Sequence, residues 1–336
     1  MTNVLVTGAN GQLGSEIREL VEATLGCAPL GAPNAQGETK ATHPKSTLGS
    51  APLGAPNTKG EAKATHPKEI FYFTNSSTLD ITDFQKVKEF IKTNNINTII
   101  NCAAYTAVDK AEEDEVNADK INHLAVKNLA QIAKDNNIKL IHISTDYVFD
   151  GKNYKPYNEE DITNPNGVYG TTKLAGENAM QEINPSNSII IRTSWVYSSF
   201  GANFVKTMLR LGKERDSLGV IFDQVGTPTY ARDLAKAILD IVALGCAPLG
   251  ASSDVQIYNY SNEGVLSWYD FAKEIMKMAK IECQVNPIET KDYKTPATRP
   301  HYSLLKKAKI KKEFGITIPY WKDSLSECLK KMGEKR

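Results

Sequence analysis

The sequence has no apolar run approaching the ~20 residues that a helical bilayer span requires, which argues against a membrane-spanning helix. It also lacks an excess of either charge: 40 Lys and Arg stand against 39 Asp and Glu, a net of +1. That removes the basic footprint of a nucleic-acid binder. The densest positive run, residues 306–312 (KKAKIKK), is short enough to be one solvated helix face. Cysteine is scarce and odd in number, at positions 27, 102, 246, 283 and 328, with no CxxC or other metal-ligand spacing. A disulfide scaffold and a cysteine metal site are excluded, no metal is expected, and free thiols in a reducing cytoplasm fit best. No signal peptide precedes the first apolar run. The 336 residues suffice for two lobes with real cores.

The amino-terminal apolar run, residues 3–7 (NVLVT), leads into Gly8-Ala-Asn10-Gly11-Gln12-Leu-Gly14. Leu13, Ile17, Leu20 and Val21 then recur at helical spacing. Glycines between a strand and a helix let backbone N–H groups approach phosphate oxygens, and the helix terminus adds partial positive charge. In this context the pattern points to a dinucleotide site.

The next segment departs from this pattern. Residues 25–45 (LGCAPLGAPNAQGETKATHPK) and 48–68 (LGSAPLGAPNTKGEAKATHPK) are near-copies, and LGCAPLGA returns at 244–251. Rich in Ala, Pro, Gly, Lys and Thr, the copies have little to bury. They are expected to be insertions in surface loops, at 25–68 and 244–254. Duplication accounts for the recurrence of His43 and His66 without a metal. Each insertion follows an apolar helix and precedes an apolar strand, which places it at the edge of a parallel sheet opposite the ligand edge.

Strands and helices then alternate. Thr82-Asp-Phe-Gln85 has the form of a capping box ahead of Phe84, Val87 and Ile91. Residues 98–101, 139–145 and 188–193 are predicted strands, and Ile121, Leu124, Leu129 and Ile132 mark a helix. This alternation predicts an α/β fold, a doubly wound parallel sheet. After Trp195 the pattern loosens into a smaller mixed C-terminal lobe, with helices over 203–211 and 268–278 and a loop at 299–303. A cleft between lobes is a usual ligand site.

Two stretches carry chemistry. Tyr169 and Lys173 lie four apart in NGVYGTTKLAGE, on one helix face. Tyrosine has a reference pKa near 10, and a neighbouring ammonium lowers it, so the pair could pass a proton at neutral pH. Ser144-Thr145-Asp146-Tyr147 sits where a strand ends, at the ligand edge, where the Ser144 or Thr145 hydroxyl could meet a substrate oxygen. Asp146 could accept from a sugar hydroxyl, or simply form a turn. Ala103 and Ala104, past another strand end, would leave room for a flat cofactor.

Together GANGQLG, STDYVFDG and VYGTTKLAGE resemble the extended short-chain dehydrogenase/reductase family. AAYTAVDKAE, TSWVY, NFVKTMLRL and DQVGTPT narrow the likeness to the branch that reduces dTDP-linked 4-keto-6-deoxy sugars. The resemblance covers nearly everything but the repeats. It implies a Rossmann domain over 1–195 and a substrate-binding lobe over 196–336, partly interleaved with the sheet. It makes Thr145, Tyr169 and Lys173 the catalytic trio. It gives Gly8, Asn10, Gly11, Gln12, Gly14, Asp80, Ile81, Ala103, Ala104 and Tyr105 to the dinucleotide, with Tyr169 and Lys173. It gives Thr145, Asp146 and Trp195 to the sugar nucleotide. Arg299 is a candidate for its diphosphate, since a guanidinium forks onto phosphate oxygens. The end of the second strand, Phe73-Thr-Asn-Ser76, has neither acid nor arginine, so NADPH and NADH both stay open. Tyr147 stands where dehydratases often carry a glutamate, which argues for reduction over water elimination. An epimerase, a non-catalytic NADP-binding regulatory relative, and assembly as a homodimer stay open.

Joining Thr24 directly to Glu69 should preserve the fold and most activity, because loop-closure entropy changes by only about 0.6 kcal/mol per doubling of length. Fluorescence titration with NADPH checks it: a soluble deletion protein unable to bind cofactor would contradict the expectation.

Overall fold

The computed structural model describes residues 2–24, 39–40, 69–246 and 253–334. Strands β1 (Thr2–Thr7), β2 (Thr39–Lys40), β3 (Glu69–Phe73), β4 (Thr98–Asn101), β5 (Lys139–Thr145) and β6 (Ile189–Thr193) belong to one sheet. Four strands of the second lobe follow, β7 (Val196–Tyr197), β8 (Ser217–Ile221), β9 (Val225–Gly226) and β10 (Thr229–Tyr230). The chain then returns to the sheet as β11 (Gln256–Tyr260), giving the seven-stranded order β11-β6-β5-β4-β1-β3-β2. All pairings are parallel except that of β2 with β3. Every residue of β4 and β6 is buried, as both faces of a parallel sheet must be covered.

Helices supply that cover. On one face α1 (Gln12–Thr24) brings Ile17 and Val21 against Val4, Val6 and Ile191. On the other, α2 (Phe84–Thr93) brings Val87 and Ile91 against Leu5 and Ile99. Past β4 come α3 (Val108–Ala111) and α4 (Glu115–Asp119), then one π-turn at Lys120–Leu124, then α5 (Ala125–Asp135). The sequence predicted a single helix there; the π-turn interrupts its periodicity and brings Ile121 to the cleft described below. Helix α6 (Val168–Ile183) follows β5 and carries Tyr169 and Lys173.

The first helix of the second lobe is α7 (Phe204–Glu214), capped by Asn203. Helix α8 (Ala231–Ala243) then lies beside α1 over the sheet. After β11 the chain leaves again through β12 (Leu266–Ser267), α9 (Trp268–Ala279) and β13 (Gln284–Ile288). It returns with α10 (Ala308–Phe314), whose Ile310 and Phe314 join the sheet's core, and ends on α11 (Trp321–Lys331). The lobe has its own core around Phe271, Ile275, Trp321 and Leu325.

Three local expectations change. The cap of α2 is Asp83, whose carboxylate accepts from Lys86 N, and not Thr82. The lysine run is not all solvated: Lys307 is buried beside Glu263, and Lys309 bonds the β11 carbonyl of Ile257. Of residues 25–68 only Thr39–Lys40 are described; the segment is followed by Glu69, which pairs with Thr2 at the amino edge of the sheet. Yet β2 pairs with Tyr72 and Phe73 at the carboxyl end of β3, so one piece of it reaches toward the ligand edge. His43, His66 and most of the repeats lie outside the described residues.

One buried ion pair fixes α6 to β6. Glu177 takes two bonds from Arg192 Nε at 3.1 Å and one from Nη2 at 2.7 Å, while Nη1 donates to Glu159 O at 3.1 Å. The two side chains are 0% and 3% exposed. Removing one partner of such a pair leaves an uncompensated charge and costs about 3–5 kcal/mol. Glu177→Gln should lower the urea unfolding free energy by roughly that amount; a midpoint unchanged from the parent protein would show that the pair does not hold the helix.

Candidate active site

Strands β1, β3, β4 and β5 end on one edge of the sheet, and a cleft of about 810 Å³ opens there beneath the second lobe. The glycine turn forms one wall. Gly8 has φ +64°, and a Cβ there would lie 2.6 Å from Ala103 N. Only glycine allows this turn to close onto the end of β4. A Cβ at Gly14 would likewise meet Ala9 Cα at 2.6 Å. The result is a cradle of bare backbone at the start of α1, suited to a diphosphate. Gly8, Asn10, Gly11, Gln12, Gly14, Asp80, Ile81, Ala103 and Ala104 all line the cleft.

Tyr105 does not. Its backbone is held on both sides by the Asn122 amide, at 2.9 and 3.1 Å, and its hydroxyl donates to Asp114 at 3.0 Å. Thr106 and Val108 face the cleft instead. Arg299 is also absent from the lining: its two Nη atoms fork onto Asp109 at 2.8 and 2.6 Å, and Nη1 also bonds Ala297 O. The guanidinium does fork onto oxygens, but onto those of a carboxylate 190 residues earlier, so the diphosphate assignment is not supported by this geometry.

The opposite wall is made by β5 and α6. A Cβ at Gly170 would strike the carbonyl of Tyr147 and, at 2.9 Å, Pro165 Cβ. Glycine at that position lets α6 rest on the turn after β5. Tyr169 thereby meets Tyr147 edge-on, centroids 5.4 Å apart, and shares the cleft with Ser144, Thr145, Asp146 and Lys173. Thr145 Oγ1 donates to Asp146 Oδ1 at 3.1 Å and accepts from Tyr147 N at 3.2 Å. Burial pushes the Tyr169 phenol up to about 12, partly opposed by the Thr145 hydroxyl.

Lys173 was expected to lower the Tyr169 phenol. Its Nζ instead donates to Ile143 O at 2.6 Å, turned toward the strand. Burial holds Lys173 down to about 8, with Glu177 pulling the other way.

Trp195 forms the roof on the side of the second lobe. Its φ is +48°, a left-handed conformation rarely adopted by a bulky side chain. The ring stacks on Trp268 at 3.7 Å, and Trp268 lies 4.6 Å from Phe204. Asn203, unpredicted, bridges the lobes by donating to Gln12 Oε1 at 3.0 Å. Asn75 and Ser76, neutral and hydroxyl- or amide-bearing, line the cleft at the end of β3. Among the described residues no group of three or more His, Cys, Asp or Glu is gathered for a metal. Nor, among those residues, is any helix long and apolar enough to cross a membrane.

Cradle, cleft and Tyr/Lys helix define a dinucleotide-dependent oxidoreductase of the extended short-chain dehydrogenase/reductase class. The family model for the RmlD substrate binding domain matches residues 54–334, and the chain belongs to that family of dTDP-4-dehydrorhamnose reductases. It is 43% identical over 255 residues to the dTDP-4-dehydrorhamnose reductase of Aggregatibacter actinomycetemcomitans, covering 74% of this chain and 86% of the relative. It is 34% identical over 330 residues to the spore coat polysaccharide biosynthesis protein SpsK of Bacillus subtilis, covering 98% and 97%. Among solved structures, a dTDP-4-dehydrorhamnose reductase from Clostridium acetobutylicum superposes with a TM-score of 0.80 at 36% identity, covering 99% and 100%. The Bacillus anthracis enzyme in complex with NADP does so at 0.78 and 32%, covering 98% and 100%.

Asp146 gives a pH test. Among the described residues its Oδ2 is buried with no hydrogen-bond partner, and burial raises its pKa from 3.8 to about 6, the neighbouring Ser303 and Thr145 hydroxyls pulling the other way. A carboxyl with a raised folded pKa favours folding while protonated, so that contribution is present below the unfolded pKa and is lost as pH rises through about 6. Asp146→Asn should therefore stabilise the protein at pH 7 by about 3 kcal/mol, from the shift between 3.8 and about 6, and change little at pH 4. Urea unfolding at the two pH values checks this; equal effects at both would contradict a buried carboxylate.

Proposed function

We propose that this protein reduces the C4 ketone of dTDP-4-dehydro-L-rhamnose to dTDP-L-rhamnose, with NADPH or NADH as the reductant. The observation that carries it is the joint lining of one cleft by the glycine cradle, the Thr145–Asp146 corner and the Tyr169/Lys173 helix. Bare backbone at Gly8 and Gly14 and the small Ala103 and Ala104 fit a dinucleotide. When bound, the reduced nicotinamide supplies a hydride.

The chain's own groups handle the proton. Tyr169, a phenol at neutral pH, donates its hydroxyl proton to the oxygen on C4 as that oxygen gains negative charge. Thr145 Oγ1 offers a second hydrogen bond to the same oxygen. Lys173 is assigned to the nicotinamide ribose and, as an ammonium, to easing loss of the Tyr169 proton. Asp146 Oδ2, buried and without a partner, suits a sugar hydroxyl that donates to it. The Trp195 face supplies an apolar wall for the sugar ring. Asp80 and Ile81 are assigned to the adenosine end, where residues 73–76 at the end of β3 carry neither acid nor arginine, which leaves NADPH as acceptable as NADH. Residues 1–195 and 196–336 are read as the dinucleotide and substrate parts, sharing the sheet through β11. We place the reaction in the cytoplasm, on a free nucleotide sugar, with neither membrane nor nucleic acid as partner and with a homodimer as one candidate assembly.

The test counts both products. With keto sugar nucleotide and excess NADPH, oxidised cofactor should equal sugar consumed, and Tyr169→Phe should lower turnover about 10²–10⁴-fold. Conversion of the sugar with no NADPH loss would mean epimerisation instead.

A further inference from the structure

Lys173 is only 2% exposed, and among the described residues its nitrogen contacts no carboxylate within salt-bridge range. Among those residues it meets, besides the Ile143 carbonyl, the side chain of His142, whose Nε2 lies 3.4 Å away. His142 Nδ1 is 3.1 Å from Asn101 Nδ2. Asn101 Oδ1 accepts from Thr7 Oγ1 at 2.6 Å, and Thr7 Oγ1 accepts the Ala103 N–H at 3.4 Å. Thr7, Asn101 and His142 are 1%, 0% and 0% exposed. A dry polar chain therefore runs under the cleft from the glycine turn to the catalytic lysine, across β1, β4 and β5.

The chain has a direction. Thr7 Oγ1 accepts the Ala103 N–H, and with Asn101 Oδ1 facing it at 2.6 Å its own hydrogen goes to that oxygen. That orientation turns the Asn101 NH₂ toward His142 Nδ1, which must accept. Burial and the neighbouring Lys173 hold the imidazole's pKa well below its ordinary value, so the ring is neutral. Its single proton then sits on Nε2 and faces Lys173 Nζ. Against an ammonium, that would set donor against donor. Against an amine, the Nε2–H finds a lone pair.

We infer that His142, oriented by Asn101 and Thr7, is a positioning residue for Lys173: it holds Nζ on the β5 side of the cleft and lowers the lysine's affinity for a proton. The inference rests on Lys173 acting beside Tyr169 as proposed above. The other titratable groups around Lys173 are Tyr169 and Glu177 on its own helix, Arg192 on β6 (which neutralises Glu177), and Asp146 and Cys102 lining the cleft. None of these presents an N–H to Nζ. A ligand that draws Nζ into the cleft releases it from His142, and its proton affinity rises as it engages the ligand. Binding and protonation of Lys173 are thereby linked.

Nitrogen-15 NMR tests this without turnover. In histidine-labelled protein, His142 should show a protonated Nε2 and a bare Nδ1 that does not titrate between about pH 5 and 9. In lysine-labelled protein, the Nζ signal absent from Lys173→Met should titrate at about 8. In His142→Asn, which keeps a partner for Asn101 and loses the contact to Nζ, that midpoint should rise by about one unit, the size of one hydrogen bond. His142→Gln, which restores an N–H near the Nε2 position, should bring it part of the way back. A proton on Nδ1, or a Lys173 midpoint unmoved in folded His142→Asn, overturns the inference. If His142→Asn does not fold, the tautomer in the parent protein decides alone. A protein that reduces no keto sugar but shows the Nε2–H tautomer and the shifted lysine would sink the proposed reaction and leave this inference standing.

Discussion

The Tyr169 side of the cleft depends on how closely α6 lies against β5 and β6. Three contacts in successive turns enforce that approach, and each is of a different kind. At Gly170 it is steric, backbone resting on the Tyr147 carbonyl. At Lys173 it is a hydrogen bond to the Ile143 carbonyl. At Glu177 it is the buried pair with Arg192. Apolar packing such as that of Met180 supplies more of the free energy but little direction. A helix free to rotate by a fraction of a turn would keep its burial and lose the alignment of Tyr169 with Thr145. The ion pair is costly to desolvate and contributes little net stability against an apolar substitute. Its contribution is to fix the rotation and height of the helix.

The glycine-turn wall follows the same logic on the other side of the cleft. Gly8 brings the turn after β1 onto the loop after β4, and the Asn122 amide ties that loop, through Tyr105 and Thr172, to α6. Asn122 reaches both partners because it sits in the π-turn, which displaces its side chain from the register an unbroken helix would give. The two walls are therefore not independent. The buried Asn122 amide is one route by which a change in that loop reaches the tyrosine helix.

Much of this was legible in the sequence because it is local. Runs such as TIIN and SIIIRT allow little but a strand buried on both faces, and a glycine turn between strand and helix has few other uses. Lys139–Thr145 begins and ends where its residues said it would. What was not legible depends on partners far away in the chain. Arg299 is taken by Asp109, and Lys307 is buried by Glu263; neither partner can be read from neighbouring residues. The π-turn depends on a shift in hydrogen-bond register, which residue type hardly signals. The direction of Lys173 Nζ was missed because spacing fixes where a side chain starts on a helix, not where four rotatable bonds take its end. The left-handed Trp195 was hidden for the same reason: the stack on Trp268 that holds it comes from an element 73 residues later.

The return of the chain to the sheet as β11 has a consequence for how the protein is made. The glycine turn, the Thr145 corner and the tyrosine helix have all left the ribosome by residue 183, yet β6 still has an unpaired edge of isoleucines. That edge is filled only when residues 256–260 emerge. The apolar face beneath it waits longer, for Ile310, Phe314 and Ile318. During this interval the nascent chain presents a long apolar strand edge, the feature that most readily recruits a foreign strand. A translational pause before residues 310–318 have emerged would prolong the exposure, whereas one after they have emerged would not. Synonymous codon choice over the stretch from β6 to β11 therefore bears on the yield of soluble protein, although it changes no residue of the finished enzyme.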